Sequence, residues 1–141
     1  RRSLGDRGPV VSIADAIKAY AAQFDPQPFH LDEAAAAKTF FKGLAASGWH
    51  TMSMTMRLMV DGALPIAGGI VGAGADEIRW PRATRPGDRL RVKCEVLEAR
   101  PSKSRSDQGL IKVLVTTLNQ NDEPVQTFTV RTVVPRRPAE G

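Results

Sequence analysis

One stretch of this 141-residue chain restricts its fold more than any other. From Gly48 to Ala63 the sequence reads Gly-Trp-His-Thr-Met-Ser-Met-Thr-Met-Arg-Leu-Met-Val-Asp-Gly-Ala. Trp49, Met52, Met56, Met59 and Val60 form one apolar stripe at helical spacing, and Met54, Leu58 and Ala63 widen it. A helix that is apolar nearly all round is a buried helix. Ser47 is expected as its N-cap. The methionines read as core rather than as a cofactor box. Such a helix must find an apolar surface, and the second half of the chain supplies one. There Leu90, Val92, Cys94 and Val96 alternate with Arg91, Lys93 and Glu95, the period of two of a sheet with one wet face. Asp76 to Trp80 reads as a short strand stopped by Pro81, and Pro86-Gly87-Asp88 as a turn. Arg100 to Gly109 is polar and reads as a loop. Leu110 to Leu118 and Val125 to Val134 are two more strands, joined by a turn of hairpin length at Asn119 to Glu123. Helices first and antiparallel strands after predict an α+β arrangement, a sheet wrapped on a central helix.

The first half is read in the same way. Arg1 to Pro9 is polar and glycine-containing, a loose lead-in, and Val10 and Val11 form a short strand. Ser12 is expected as an N-cap with Asp15 three residues on. Ile13, Ile17, Tyr20, Ala21 and Phe24 then follow at helical spacing, so Ser12 to about Gln23 reads as an amphipathic helix. Pro26 and Pro28 make Phe24 to Phe29 a rigid, extended turn. Asp32 caps a second short helix rich in alanine, which Phe40 and Phe41 close and Gly43 ends. With no repeat and no linker, residues 1–141 are expected to form a single domain with a basic tail at 136–141.

Composition removes several function classes. Hydrophobic residues make up 42% and charged residues 25%, as in a folded domain rather than a disordered or membrane-spanning chain. The uncharged stretch Gly62 to Ala75 is too short and too broken by Pro65 and glycine to cross a bilayer. A single cysteine, Cys94, excludes an intramolecular disulfide framework and any multi-cysteine metal site, and two histidines leave little room for a histidine-rich one. No signal peptide is visible, and a cytoplasmic location is expected. The net charge is +5, with basic residues at Arg100, Lys103, Arg105, Arg136 and Arg137. Such a surface attracts phosphate, whether of a nucleic acid or of a nucleotide-bearing ligand, or is simply solvated. Aromatic residues are only 6% and none is interleaved with the basic run, which argues against a single-strand nucleic-acid platform.

The densest cluster of chemistry is Asp25-Pro26-Gln27-Pro28-Phe29-His30-Leu31-Asp32. An Asp and a His five residues apart on a proline-stiffened loop can converge on one small molecule, and stiffness holds such groups in productive geometry. The local alternative is that Asp25 stops the first helix, Asp32 caps the second and His30 is a turn residue.

This stretch resembles the signature of the MaoC-like hydratases, also called (R)-specific enoyl-CoA hydratases, whose pattern is Asp-x-Asn-Pro-aliphatic-His-x-Asp. Gln27 stands in place of the Asn and Phe29 in place of the aliphatic residue. Phe41-x-Gly43-Leu44-Ala45-Ala46-Ser47-Gly48-Trp49-His50 resembles the segment entering that family's central helix. Trp80-Pro81 and Arg85-Pro86-Gly87-Asp88-x-Leu90 resemble its later strand-and-turn signature. The resemblance runs from about Val10 to Pro135. It implies the hot-dog fold, a homodimer or dimer of dimers with each site near an interface, and neither nucleic acid nor membrane as partner.

The resemblance also implies a chemistry: water added across a trans-2-enoyl thioester, or removed from an (R)-3-hydroxyacyl thioester. Asp25 and His30 would hold and activate one water, and an imidazole suits proton transfer near neutral pH. The backbone N–H of Gly48 would donate to the developing enolate oxygen, at a helix start where the dipole favours negative charge. Ser47, Trp49 and His50 adjoin that donor and are expected at the substrate; His50 has the alternative of a packed or capping role. Arg100, Lys103 and Arg105 are candidates for the phosphates of coenzyme A, or are solvated charges. Met56 stands roughly where some family members carry a Ser that touches the dyad. No metal or redox cofactor is implied, with the coenzyme A thioester as substrate. Two further readings use the same ligand. A hot-dog thioesterase would need an acid on the central helix, where only Asp61 stands, near the wrong end. A non-catalytic acyl-CoA-binding module would need neither Asp25 nor His30.

Overall fold

In the computed structural model, residues 2–135 are described; the expected basic tail at 136–141 lies outside them. The alternating segments form one antiparallel sheet of five strands. They are β1 (Arg2–Val11), β2 (Val71–Arg79), β3 (Arg89–Pro101), β4 (Gln108–Leu118) and β5 (Pro124–Pro135). The order across the sheet is β1-β3-β4-β5-β2. The β3 alternation holds: Leu90, Val92 and Cys94 are wholly buried while Arg91 and Lys93 lie on the wetter face.

The helices are α1 (Ala14–Phe24), α2 (Pro28–Leu31), α3 (Glu33–Ala37) and α4 (Gly48–Leu58), the last continuing through one wider, π-helical turn over Met59–Ala63. Leu58, Met59 and Ala63 pack into the sheet against Val92, Cys94, Val113, Val115, Phe128 and Val130. Burying each large side chain of this set contributes roughly 1.5–3 kcal/mol relative to leaving it in water.

Four expectations need correction. The segment expected as a loose lead-in is an edge strand: β1 pairs with β3 from Arg2 opposite Val96 to Val11 opposite Arg89, with two register shifts. An edge strand draws its stability from the ladder, so it needs little apolar patterning of its own. Gly5 permits close approach there, since a Cβ at that position would stand 2.6 Å from the Ala63 carbonyl oxygen.

Ser12 is not the cap of α1. Its backbone is tied to the Pro86–Asp88 turn, with its N–H on the Asp88 carbonyl (2.8 Å) and its carbonyl taking the Gly87 N–H (2.6 Å). The helix starts two residues on, with Ile13 at the N-cap and no side-chain cap.

The second short helix ends at Ala37, and Phe40 is 92% exposed rather than closing it. Asp32 does cap that helix, its Oδ2 accepting the Ala35 N–H at 2.8 Å.

The central helix is not buried all round. Thr51, Met54, Thr55 and Leu58 face inward, while Trp49 (55%), Met56 (49%) and Val60 (65%) are exposed. The methionine spacing reports two faces of one helix, of which the sheet covers one.

Candidate active site

The site begins where α1 stops. Asp25 is its C-cap, the backbone N–H donating to Ala21. Pro28 then opens α2 at a position where a missing N–H costs nothing. This short helix turns His30 inward, where it is 5% exposed. So Pro28 starts a helical turn that the sequence reading did not expect, while residues 25–27 stay outside any helix and Gln27 is extended as the sequence suggests.

His30 Nδ1 lies 2.6 Å from the Ala45 carbonyl oxygen. A carbonyl only accepts, so Nδ1 carries a hydrogen, and in the neutral ring Nε2 is the acceptor. Nε2 stands 3.3 Å from Asp25 Oδ2. Two acceptors this close are satisfied by one shared donor, such as a water giving one hydrogen to each.

Asp25 is held by further donors. The Ser47 hydroxyl donates to Oδ2 at 2.7 Å and the Gln27 amide donates to Oδ1 at 2.5 Å. Burial by itself pushes the Asp25 carboxyl up. The Ser47 and Gln27 donors and the nearby His30 outweigh it and hold the group below the ordinary aspartate value.

Opposite the dyad stands the start of α4. The Ser47 carbonyl takes the His50 and Thr51 N–H groups at 3.0 and 3.1 Å. Its side chain caps nothing. Among the described residues no acceptor meets the first-turn N–H groups at Gly48 and Trp49, where the helix dipole favours negative charge. The Trp80 indole packs onto Gly48, so closely that a Cβ there would stand 2.5 Å from Cε2. Trp80 is itself pinned: Nε1 donates to Gln126 Oε1 at 2.9 Å. Gln126, wholly buried, donates from Nε2 to Thr55 Oγ1 at 2.9 Å, and Thr55 meets Thr117 at 2.7 Å.

These elements enclose a cavity of about 350 Å³. Asp25, His30 and Gly48 line it, with Phe41, Trp49 and Trp80 as aromatic walls. Thr51 and Thr84 add buried hydroxyls, 3.1 Å apart, and Arg82 a cation paired with Glu123 at 2.9 Å. Among the described residues no cluster of His, Cys, Asp or Glu is arranged to hold a metal ion, and no helix is long and apolar enough to cross a membrane.

The structure thus brings together Asp25, His30, Gly48 and Trp49. Ser47 adjoins them but contacts Asp25 rather than the cavity. His50 turns away and stacks on Tyr20 of α1, ring centroids 4.7 Å apart; burial lowers its pKa from the usual histidine value. Its packed alternative is the one realised. Arg100, Lys103 and Arg105 are not on this cavity. They stand at and beyond the far end of β3, a strand of 13 residues, about 40 Å long at ~3.3 Å per residue. Met56 points outward, half exposed, and the hydroxyl that touches the dyad comes from Ser47 instead. Sequence reading missed the cavity roles of Phe41, Thr51, Trp80, Arg82 and Thr84. Phe41 and Trp80 carried a signal, Phe41 at the head of the segment leading to α4 and Trp80 as an aromatic just ahead of Pro81.

Comparison with known proteins gives one family. The family model described as "MaoC like domain" matches residues 3–119. The uncharacterized protein YdeM of Bacillus subtilis (strain 168) is 32% identical over 111 residues, 79% of this chain and 77% of that protein. The crystal structure of the MaoC-like dehydratase from Rhodospirillum rubrum is 54% identical, with a TM-score of 0.91, over 95% of this chain and 91% of that one. The (R)-hydratase PhaJ1 from Pseudomonas aeruginosa is 23% identical with a TM-score of 0.73, over 97% of this chain and 83% of that one, a likeness of fold alone. A family model spanning most of the chain and a half-identical structure of the same design lead to one conclusion: this chain belongs to the MaoC-like family and has its hot-dog fold.

Proposed function

We propose that this cavity hydrates trans-2-enoyl thioesters to (R)-3-hydroxyacyl thioesters and catalyses the reverse dehydration. The observation that carries the reading is the convergence of the Asp25–His30 pair and the open first turn of α4 on one cavity. The water sits between His30 Nε2 and Asp25 Oδ2. Its oxygen forms a bond to C3 of the enoyl group, and its proton passes to Nε2. The C2–C3 π pair moves toward the thioester, whose oxygen takes negative charge and accepts the Gly48 N–H. A donor aimed at such an oxyanion is worth about 10²- to 10³-fold in rate. The imidazolium then returns its proton to C2. One water has been added, and the dyad is back in its starting state.

Coenzyme A is the expected carrier, and Arg82 on the cavity wall, paired with Glu123, is a candidate for its phosphates. Arg100, Lys103 and Arg105 remain candidates only for a carrier that extends far along the sheet. The thioesterase reading loses support because Asp61 pairs with Arg57 at 3.0 Å and is not on the cavity. A homodimer is the expected working unit. Among the described residues the outer edge of β2 has no neighbouring strand, and α4 exposes Trp49, Met56 and Val60. Light scattering at assay concentration tests it, and a strict monomer that is active contradicts it.

The decisive experiment measures loss of enoyl absorbance over a panel of trans-2-enoyl-CoA substrates. Asp25→Asn and His30→Ala should each cost about 10²- to 10⁴-fold in kcat. The double variant should cost little more than the worse single one, because members of one catalytic unit are not additive. Variants that fold by thermal melt yet hydrate within a few-fold of the parent overturn the assignment. A parent that binds acyl-CoA but hydrates nothing hands the site to the binding-module reading.

A further inference from the structure

Ser47 occupies the N-cap of α4, and a serine there ordinarily turns its oxygen to the N–H two or three residues on. This one turns the other way. It is wholly buried, and its hydroxyl donates to Asp25 Oδ2, 22 positions back in the chain. That oxygen is also the one facing His30 Nε2. With Gln27 on Oδ1, both carboxylate oxygens receive donors, which fixes the rotation of the group and favours its ionised form.

The charged and titratable groups around Asp25 are few. α2 contributes His30, and the segment after β2 contributes Arg82 on the shared cavity. α1 has no basic residue in its last turn. The first turn of α4 has no acid, and its His50 stacks on Tyr20. Among the described residues the Ser47 hydroxyl is the one hydrogen-bond donor to Oδ2.

We propose that Ser47 is a positioning residue of the dyad: its hydroxyl locks Asp25 as an oriented acceptor, so that His30 Nε2 alone takes and returns the proton of the water. The same orientation withholds the serine oxygen from the first turn of α4, where it caps nothing. The chemistry in this inference rests on the hydratase reading; the Ser47–Asp25 coupling does not.

The test follows the Asp25 carboxyl by carbon NMR in the free protein across acid pH, with the signal identified by its absence in Asp25→Asn. In the parent the midpoint lies below the ordinary aspartate range. In Ser47→Ala it moves to higher pH, and Ser47→Thr, which keeps a hydroxyl, brings it back toward the parent. Hydration by Ser47→Ala should lose about 10- to 100-fold in kcat, the worth of one hydrogen bond to a charged group, with KM little changed. A midpoint in Ser47→Ala that stays at the parent value overturns the inference, whatever the rate does. If Ser47→Thr does not fold, the comparison of parent with Ser47→Ala decides alone. A parent that hydrates no enoyl thioester while the midpoint moves sinks the hydratase reading, and with it the proton route, but leaves the coupling standing. A parent that hydrates while the midpoint stays fixed sinks only the role of Ser47.

Discussion

The indole of Trp80 stands where a side chain on residue 48 would have to go: Cε2 lies 2.5 Å from the place of a Cβ on Gly48. The contact joins the start of α4 to the segment after β2, and it is rigid because Gln126 holds the indole N–H from the sheet side. A methyl group at position 48 must displace either the ring or the helix start. Gly48→Ala is therefore expected to lower kcat/KM by more than about 10²-fold, the scale of a lost oxyanion donor, and to destabilise the fold by about 1–3 kcal/mol through overpacking. Trp80→Phe should recover part of both losses by making room. Steady-state kinetics and melting curves of the two single variants and the double check this, and a Gly48→Ala variant that matches the parent contradicts it.

Arg85 holds the segment that carries one cavity wall. One terminal nitrogen donates to the Gly43 and Leu44 carbonyls at 2.9 and 3.3 Å, the other to the Phe41 carbonyl at 2.6 Å. A planar fork serves three carbonyls at once, and a lysine ammonium cannot match that geometry. Arg85→Lys should cost about 1–3 kcal/mol, from partly buried acceptors left without donors. It should also raise KM, because Phe41 loses its support. Calorimetry gives the first number and kinetics the second; an unchanged melting temperature would mean the clamp is not needed.

Acid should unfold the protein partly through Asp25. Burial opposes its charge, but the Ser47, Gln27 and His30 contacts prevail and lower its pKa in the fold. A carboxylate depressed in this way stabilises the fold fully above the unfolded value of about 3.9 and loses that contribution as pH falls through the folded value. The stability difference between the parent and Asp25→Asn should thus be constant near neutrality and shrink below about pH 4. Denaturant titrations at a series of pH values measure it. A difference that grows toward acid would reverse the sign and refute the account.

Cys94 is wholly buried in β3, and burial pushes its thiol up to about 12. Only the thiolate attacks a disulfide reagent at a useful rate. The native protein should leave an aromatic disulfide reagent uncoloured at neutral pH and release one equivalent of thiolate product on unfolding. Fast labelling of the folded protein would show that the sheet opens locally at β3.

Much of this design was readable in one dimension. The alternation from Leu90 to Val96, the turn at Asn119 to Glu123 and the Asp32 cap depend on neighbours within a few residues, so local periods and turn chemistry determine them. The Asp25 to His30 spacing likewise put both side chains within reach of one small molecule, and the fold sets them 3.3 Å apart. Other features had no local signal. The polar residues of β1 become a strand only because β3, from Arg89 to Val96, offers ladder partners far along the chain. Trp49 and Val60 are apolar at helical spacing, yet the sheet covers the opposite face of α4. Ser47 reads as a helix cap from its neighbours, whereas its hydroxyl goes to Asp25. Arg100 stands in the same basic surplus as any site cation but ends at the far end of a long strand. Local chemistry decides which groups a residue can satisfy; only the folded chain decides which competing partner is close enough to be chosen, because a hydrogen bond or a packing contact is gained over a few ångströms and lost beyond them.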